Sequence, residues 1–338
     1  MIIIKFKSEN SILKSIFLCY LILNISIYNY YIHRKIKREN KITSYNLLNS
    51  SNYKNNRFII IQHTCDTCGL FSFYKLSIGC IHEYLLNGYI PIIDMKSYPN
   101  IINGFDTSKN NLWEQFFEQP FGYNLSNVLK NIKGVEKINN TWENCHIWPD
   151  QRELPFPEPK RYYWHNFAKK FAPVKRELID LSNKLMNNLF NQSTNILGVL
   201  ARGTDYIAMK PSTHPIQPNI NEIVKDVKYM DDKYVYDFIF FSSEDENYRE
   251  KFTKTFPGKI KQIKSKVKIK YDYSKKQYLG FNQKINGNIE FNKIYLLNII
   301  ILSKCLDLIA TKCNGSVGIL ILTNGFRNTK IYDLGLYH

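Results

Sequence analysis

The sequence predicts an α/β protein with two domains, each built on a parallel β-sheet. Short continuous apolar runs alternate with longer helical patterns, which is the arrangement that gives parallel sheets covered by helices. The chain has 338 residues, of which 44% are hydrophobic, enough for two cores of ordinary size. We therefore divide it into an N-terminal domain at 57–190 and a C-terminal domain at 191–338.

The N-terminal domain opens with one strand–helix–strand unit. The strand RFIIIQH (57–63) leads through the turn TCDTCG into a helical pattern near 70–87, and the strand YIPIIDM (89–95) follows. The segment 97–165 is irregular and rich in aromatic residues, and the apolar spacing predicts a helix at about 166–190.

The C-terminal domain repeats this alternation. It is predicted to contain the strands ILGVLA (from 196), YDFIFFSS (236–243) and DLIAT (307–311), with helices at about 218–230, at 247–257, at 289–304 and after the turn KCNGSVG. The lysine-rich stretch 259–271 is either a solvated edge strand or a basic patch for an anionic surface.

Two segments precede the domains. Residues 1–38 contain an apolar stretch at 12–32, followed by a basic run, and 39–56 form an Asn/Ser-rich linker. The apolar stretch is either a membrane anchor or interfacial helix, or a helix that covers the domain, because Lys14, Asn24 and Asn29 shorten its apolar centre.

The net charge of +17 raises the question of a nucleic-acid or membrane-surface partner. The chain is rich in Lys, Asn and Ile, the bias of an AT-rich genome, so we attribute most of the excess to solvated lysine and expect no nucleic-acid partner. A basic binder of anionic surfaces or nucleic acid is kept as an alternative function.

The seven cysteines are an odd number in a long chain, which favours a reducing compartment. Cys65 and Cys68, with Cys80 and His82 downstream, form an irregular set of zinc ligands. We therefore interpret Cys65 and Cys68 as half-buried thiols and predict no metal site.

Polar residues follow three of the predicted C-terminal strands, where parallel sheets bind ligands. They are Arg202-Gly203-Thr204-Asp205, Ser243-Glu244-Asp245 and Cys313-Asn314-Gly315-Ser316. The last is a small-residue turn at a helix start, whose N–H groups and Ser316 hydroxyl suit a phosphate. The Arg202 guanidinium suits a diphosphate. Alternatively, Arg202 forms a structural ion pair with Asp205 or Glu244.

Three stretches, GVLARGTD…HPI, FIFFSSEDE and LLNIIILSKCLDLIATKCNGSVG, resemble the motifs of the GDP-fucose-dependent fucosyltransferases. The nearest are the α1,6-fucosyltransferases, including nodulation-type bacterial enzymes, and the protein O-fucosyltransferases share the motifs. The resemblance covers about the last 140 residues.

The resemblance implies a GT-B-like fold of two Rossmann-like domains facing a cleft and inverting, metal-independent fucosyl transfer from GDP-fucose, with no cofactor. It implies catalytic positions at Arg202, Asp205 and His214. The nucleotide sugar would contact residues of all three motifs: Arg202, Ser243, Glu244, Asp245, Asn298, Asn314, Gly315 and Ser316. The acceptor would be a cell-surface polysaccharide, an oligosaccharide or a lipid-linked glycan.

The chain departs from the family pattern at four positions. Leu200 and Gly203 replace the first histidine and the second arginine of the usual His-x-Arg-Arg-x-Asp motif. Lys210 stands where the α1,6 enzymes have a glutamate, and Asn298 where the family has an aspartate that reads guanine. Glu83, Asp94, Asp106 and His214 are the remaining candidates for a base.

These departures keep a second function open, a degenerate GT-B-fold binding protein without turnover. The expected location is the cytoplasm, at the inner face of a bacterial membrane, and the alternative is a Golgi type II membrane protein. The aromatic segment 113–164 offers stacking surfaces for acceptor sugars, although most of its rings are expected in the core.

Overall fold

The computed structural model describes residues 56–63, 65, 68–108, 110–139, 145–279, 282 and 286–338. These residues lie in one compact unit with an α/β architecture of two parallel sheets. The apolar stretch predicted within 1–38, and the linker at 39–56 except for Asn56, fall outside the described residues. Within the described ranges, no helix has the length and apolar character needed to cross a membrane.

The N-terminal sheet has three parallel strands in the order β2-β1-β3. Strands β1 (Phe58–Gln62) and β2 (Ile90–Asp94) are connected by helix α1 (Leu70–Leu86), as predicted. Strand β3 (Glu136–Ile138) was missed, because two of its three residues are exposed and no apolar run marks it.

Four helices complete this half: α2 (Trp113–Phe116), α3 (Leu125–Asn131), α4 (Glu158–Phe171) and α5 (Arg176–Phe190). The prediction of a single helix at 166–190 is wrong. Helix α4 ends at Phe171 because Ala172 precedes Pro173, and a residue before proline disfavours the helical conformation.

The C-terminal sheet has five parallel strands in the order β6-β5-β4-β7-β8. The strands are β4 (Ile196–Leu200), β5 (Phe238–Ser242), β6 (Ile260–Lys261), β7 (Asp307–Ala310) and β8 (Asn328–Ile331). The helices are α6 (Asp205–Met209), α7 (Ile220–Tyr234), α8 (Glu246–Thr255), α9 (Ile289–Leu302) and α10 (Asn314–Leu322). The lysine-rich stretch contributes only β6, a two-residue strand at the sheet edge.

Helix α10 joins the two halves, since it packs against α1 and α4 of the N-terminal half. A Cβ atom on Gly318 would lie 2.2 Å from a ring atom of Phe71, so a glycine is needed for this close approach. At the other end of the helix, Arg161 Nη1 donates to the Thr323 carbonyl at 2.9 Å, and His165 Nδ1 lies 2.8 Å from the Ile321 carbonyl.

The cysteines differ from the prediction of half-buried thiols. Cys65 is bonded to Cys68, and Cys80 to Cys145. The second disulfide joins residues 65 positions apart, a pairing that spacing alone does not reveal. It also removes Cys80 from the zinc ligand set considered above. Cys305 and Cys313 are buried free thiols.

Candidate functional site

The main cavity, of about 340 Å³, lies between the two halves. One wall comes from the loop after β1 and from α1, and the other from the loop after β4 and the start of α10. Its lining includes Cys65, Cys68, Gly69, Phe71, Ser72, Lys75, Gln151, Arg202, Asp205, Tyr206, His214, Tyr278, Tyr295, Cys313, Asn314 and Gly315. The structure therefore brings together five of the predicted site residues, which are Arg202, Asp205, His214, Asn314 and Gly315.

Three other predicted residues line a smaller side cavity of about 30 Å³. Ser243, Glu244 and Asn298 contribute to it, together with Arg249. A connecting cavity of about 110 Å³ lies between the two, because it shares Glu244 with the side cavity and Arg202 with the main cavity. The side cavity has room for water rather than for a nucleobase, so a base would enter only if its walls move.

The last two predicted residues line none of these three cavities. Asp245 caps helix α8 by accepting from the Asn247 N–H at 2.9 Å, and it also accepts from the Tyr273 hydroxyl at 2.5 Å. The Ser316 hydroxyl donates to the carbonyl of Thr311. Both side chains therefore stabilise the turns in which they lie, and the Ser316 hydroxyl is not directed to the cavity as the sequence suggested.

Arg202 is held between two carboxylates. Its Nη2 lies 2.6 Å from Asp205 Oδ1, and its Nη1 lies 2.5 Å from Glu244 Oε1. Burial opposes the charge of the guanidinium, but the two carboxylates outweigh it and hold the pKa of Arg202 well above its ordinary value. The structural ion pair considered from the sequence does form, with both acidic residues at once.

The backbone and ring around Arg202 fix its position further. Its N–H donates to Thr311 Oγ1 at 2.8 Å, which ties the end of β4 to the end of β7. The guanidinium carbon lies 4.8 Å from the centre of the Tyr206 ring, a cation–π distance. Its buried Nε has no hydrogen-bond partner in the described part of the chain.

Asp205 is saturated with donors. Its Oδ1 accepts from Arg202, from the Thr204 hydroxyl at 3.0 Å and from the Tyr206 N–H at 3.1 Å, and its Oδ2 accepts from the Leu279 N–H at 3.3 Å. These four donors hold the carboxylate in one orientation. The geometry therefore gives Asp205 the role of positioning Arg202 rather than that of a base.

The start of helix α10 faces the main cavity through Asn314 and Gly315. The first N–H groups of an α-helix have no partner within the helix and carry its positive dipole end. Cys313 precedes them in an extended conformation and does not cap them with its side chain. A Cβ atom on Gly315 would lie 2.5 Å from the Tyr295 hydroxyl oxygen, so glycine is required for this close contact with α9.

Of the four candidate bases, His214 lines the main cavity. Its Nδ1 lies 3.1 Å from the Ser212 carbonyl, and since a carbonyl only accepts, Nδ1 is the donor in this contact and Nε2 is the ring nitrogen not engaged in it. Asp94 instead accepts from Gln62 at 2.6 Å and from the N–H groups of Lys96 and Ser97. Neither Asp106 nor Glu83 lines the main cavity.

The aromatic segment serves mainly as core. The rings of Trp113, Phe116, Phe117 and Trp164 are buried, and Trp142 lies outside the described residues. Trp148 is half-buried and donates to Asp150 at 3.0 Å. The predicted stacking surface for sugars is therefore not formed by the buried rings.

Sequence reasoning missed one charged residue of the main cavity, Lys75. Its side chain is 4% exposed and projects from α1, where it is the one lysine in an otherwise largely apolar helix. A single cation within an apolar helical pattern was the signal that could have indicated it, because a lysine is buried only where a charge or a ligand compensates it.

No protein-family model and no curated protein matches this chain. Among solved structures, it is similar to NodZ alpha-1,6-fucosyltransferase soaked with GDP-fucose, with a TM-score of 0.44 and 12% identity over 80% of this chain and 93% of that one. Fucosyltransferase NodZ from Bradyrhizobium gives a TM-score of 0.43 at 13% identity, over 80% and 94%.

POFUT1 in complex with GDP-fucose gives a TM-score of 0.37 at 10% identity, and the match covers 82% of this chain and 74% of POFUT1.

Proposed function

We propose that this chain is a glycosyltransferase of GT-B-like architecture that transfers fucose from GDP-fucose to a glycan, with inversion and without a metal. One observation carries the proposal. The loops after β4 and β7, more than 100 residues apart in sequence, bring Arg202 and the start of α10 to one cavity between the two sheets. This edge is where parallel sheets bind nucleotides.

In this proposal the diphosphate of the donor binds at the start of α10. The N–H groups of the first turn and the guanidinium of Arg202 would stabilise the negative charge that grows on the leaving diphosphate. The nucleoside extends toward Ser243, Glu244 and Asn298, and the side cavity they line widens to admit the base.

The reaction is a single displacement at the anomeric carbon. An acceptor hydroxyl forms the new C–O bond while the bond to the β-phosphate oxygen breaks, and GDP leaves with that electron pair. His214 is the proposed proton acceptor, since its Nε2 is not engaged in the contact with Ser212 and the residue lines the cavity. The acceptor is proposed to be a polysaccharide, an oligosaccharide or a lipid-linked glycan.

A second candidate, a binding protein without turnover, is favoured by the state of Arg202. Both of its terminal nitrogens are already bonded to carboxylates, and Lys210 replaces the glutamate of the resembled motif. GDP release from GDP-fucose that depends on an added glycan acceptor would exclude this candidate.

The disulfides bear on location. Disulfides persist in oxidising compartments, and Cys80–Cys145 is buried on both sides. Of the two locations expected from the sequence, we therefore propose the lumenal one. Peptide mass spectrometry of non-reduced protein purified from its own cell should recover this pair, and two free thiols would contradict the proposal.

The test of function is GDP binding by Arg202 variants, measured by calorimetry. Arg202→Lys keeps a positive charge for Asp205 and Glu244 but lacks the planar fork, and we expect its GDP affinity to fall about 10- to 100-fold. Arg176→Ala, at an exposed arginine of α5 with an i,i+4 carboxylate, is the control. GDP affinity equal to wild type in Arg202→Lys and Arg202→Ala would contradict the proposal.

A further inference from the structure

Lys75 is a cation of the main cavity that lies on the opposite half from Arg202. It projects from α1 of the N-terminal half, its side chain is almost completely buried, and it lines the same 340 Å³ cavity as the start of α10. Its position in the cavity wall places an ammonium group opposite the first turn of α10, within reach of an anion bound in that cavity.

The charges around Arg202 show why a second cation matters there. Asp205 and Glu244 both bond its guanidinium, so this group of three side chains carries more negative than positive charge. The two carboxylates offset the charge of Arg202, so a bound diphosphate would gain from a further cation. Among the described residues that line the main cavity, Lys75 and Arg202 are the two with lysine or arginine side chains.

Lys75 is the positively charged side chain that the N-terminal half contributes to the described lining of the main cavity. Asp150 lies 4.0 Å from its Nζ, and Asp150 is also bonded by Arg152 at 2.8 Å and by the Trp148 indole. Burial, and then the charge of Lys75, lower the pKa of His63 to about 4, so that imidazole is neutral.

The pKa of Lys75 itself lies below that of an ordinary lysine. Burial lowers it to about 8, against the attraction of Asp150, while Arg152 lowers it further and Glu153 raises it. An anion that binds next to Lys75 would raise this pKa again, so binding would take up protons at about pH 8 to 9.

We propose that Lys75 binds the β-phosphate of the donor from the N-terminal half, so that the leaving diphosphate is held between Lys75 and the first turn of α10. This inference rests on the proposed function and deepens it. In this inference both halves of the molecule supply positive charge to the leaving group, whereas the three sequence motifs all lie in the C-terminal half. Closure of the halves over the donor would then be coupled to the presence of a β-phosphate.

The experiment compares GDP with GMP, measured by calorimetry on the full chain. Lys75→Met is expected to weaken GDP binding about 10- to 100-fold and to leave GMP binding unchanged, because GMP has no β-phosphate. Lys75→Arg should retain most of the GDP affinity. Lys130→Met, at an exposed lysine of α3, controls for the loss of one positive charge from the chain.

A pH series separates a binding role from a structural one. The wild-type GDP affinity should fall as pH rises through about 8, because Lys75 loses its proton, and Lys75→Arg should keep its affinity at pH 9. Thermal unfolding of unliganded Lys75→Met checks that the variant is folded, and Asp150 keeps its bonds to Arg152 and Trp148 in it.

Three outcomes would overturn the inference. GDP affinity of Lys75→Met equal to that of wild type, with binding lost in the Arg202 variants, would reject Lys75 alone and leave the proposed function standing. Equal losses for GMP and GDP would reject the β-phosphate assignment. Failure of the wild type to bind GDP would reject both the inference and the proposed function.

Discussion

The two halves of the molecule reach their stability by different means. In the C-terminal half, the central strands β4, β5 and β7 are buried almost throughout, while the edge strands β6 and β8 are only partly buried. The N-terminal half has three strands, of which β3 is largely exposed, and both disulfides of the described chain are in it. The short sheet with long irregular connections therefore carries covalent links, which the described C-terminal half lacks.

Polar groups are used differently as well. In the C-terminal half, a fully buried carboxylate, Asp307, anchors the start of β7 by accepting from Arg327, Tyr236 and the Asn328 N–H. In the N-terminal half, Asp94 and Asn100 instead organise turns through local backbone N–H groups. The first kind of anchor holds strands together, and the second holds a loop in place.

The largest expected effect tests the covalent link. The double variant Cys80→Ala/Cys145→Ala should lose about 4 kcal/mol of unfolding free energy, because the bond closes a long loop in the unfolded chain. Chemical denaturation without reductant measures it. The control is Cys305→Ala, at a buried free thiol of the C-terminal half. If this control lost as much unfolding free energy as the double variant, the disulfide would not distinguish the two halves.

A smaller effect is expected at the buried anchor of the C-terminal half. Asp307→Asn should cost about 3 kcal/mol, since it weakens the hydrogen bonds that the buried carboxylate accepts from Arg327 and Tyr236. Burial opposes the charge of Asp307, but its hydrogen bonds, first that from Arg327, lower its pKa.

The sign of the pH dependence follows from this lowered pKa. The contribution of Asp307 is present above the unfolded carboxyl pKa of about 4 and is lost as pH falls through the folded value. Wild type should therefore lose more stability than Asp307→Asn between pH 5 and the acid limit of folding, as measured by denaturant titration at each pH. Parallel pH profiles for the two proteins would show that Asp307 contributes no such charge-dependent stability.

The smallest effect concerns the contact between the halves. Gly318→Ala should cost about 2 kcal/mol, because its Cβ would overlap the Phe71 ring and the helices must separate. Adding Phe71→Leu should recover part of that loss, which a double-mutant cycle measures as a coupling energy. If the losses of unfolding free energy in the two single variants simply add in the double variant, the contact between Gly318 and Phe71 contributes no coupling energy.

The sequence was informative where burial alone decides the structure. Strands β4, β5 and β7 and helices α7, α8 and α9 were predicted to within a few residues, because continuous apolar runs bounded by polar turns are typical of a buried parallel sheet. Strand β8 and helix α6 were not predicted. Strand β3, the separation of α4 from α5 and the Cys80–Cys145 bond were not predicted. They depend on exposed edges, on one proline and on contacts between distant residues, none of which leaves a periodic signal.

The same division applies to the candidate site. Arg202, Asp205, Asn314 and Gly315 were predicted because they follow strands whose ends share one edge of the sheet, and they line the main cavity. His214 was predicted from the family resemblance alone. Lys75 was missed because it lies within a helix, where a single cation does not interrupt the pattern. Asp245 and Ser316 occupy motif positions, yet their side chains form hydrogen bonds within their own turns. Spacing alone cannot distinguish a residue that binds a ligand from one that stabilises the turn.

Helix α10 belongs to the C-terminal half by chain order and to the N-terminal half by its neighbours. Its first turn faces the cavity, and its last turn is held by Arg161 and His165 from α4. A hinge motion between the two sheets would therefore move this helix with one half and separate it from the other. A motion that opens the cleft widely would break apolar contacts along the whole helix, so ligands have to enter through small adjustments of the loops at its rim.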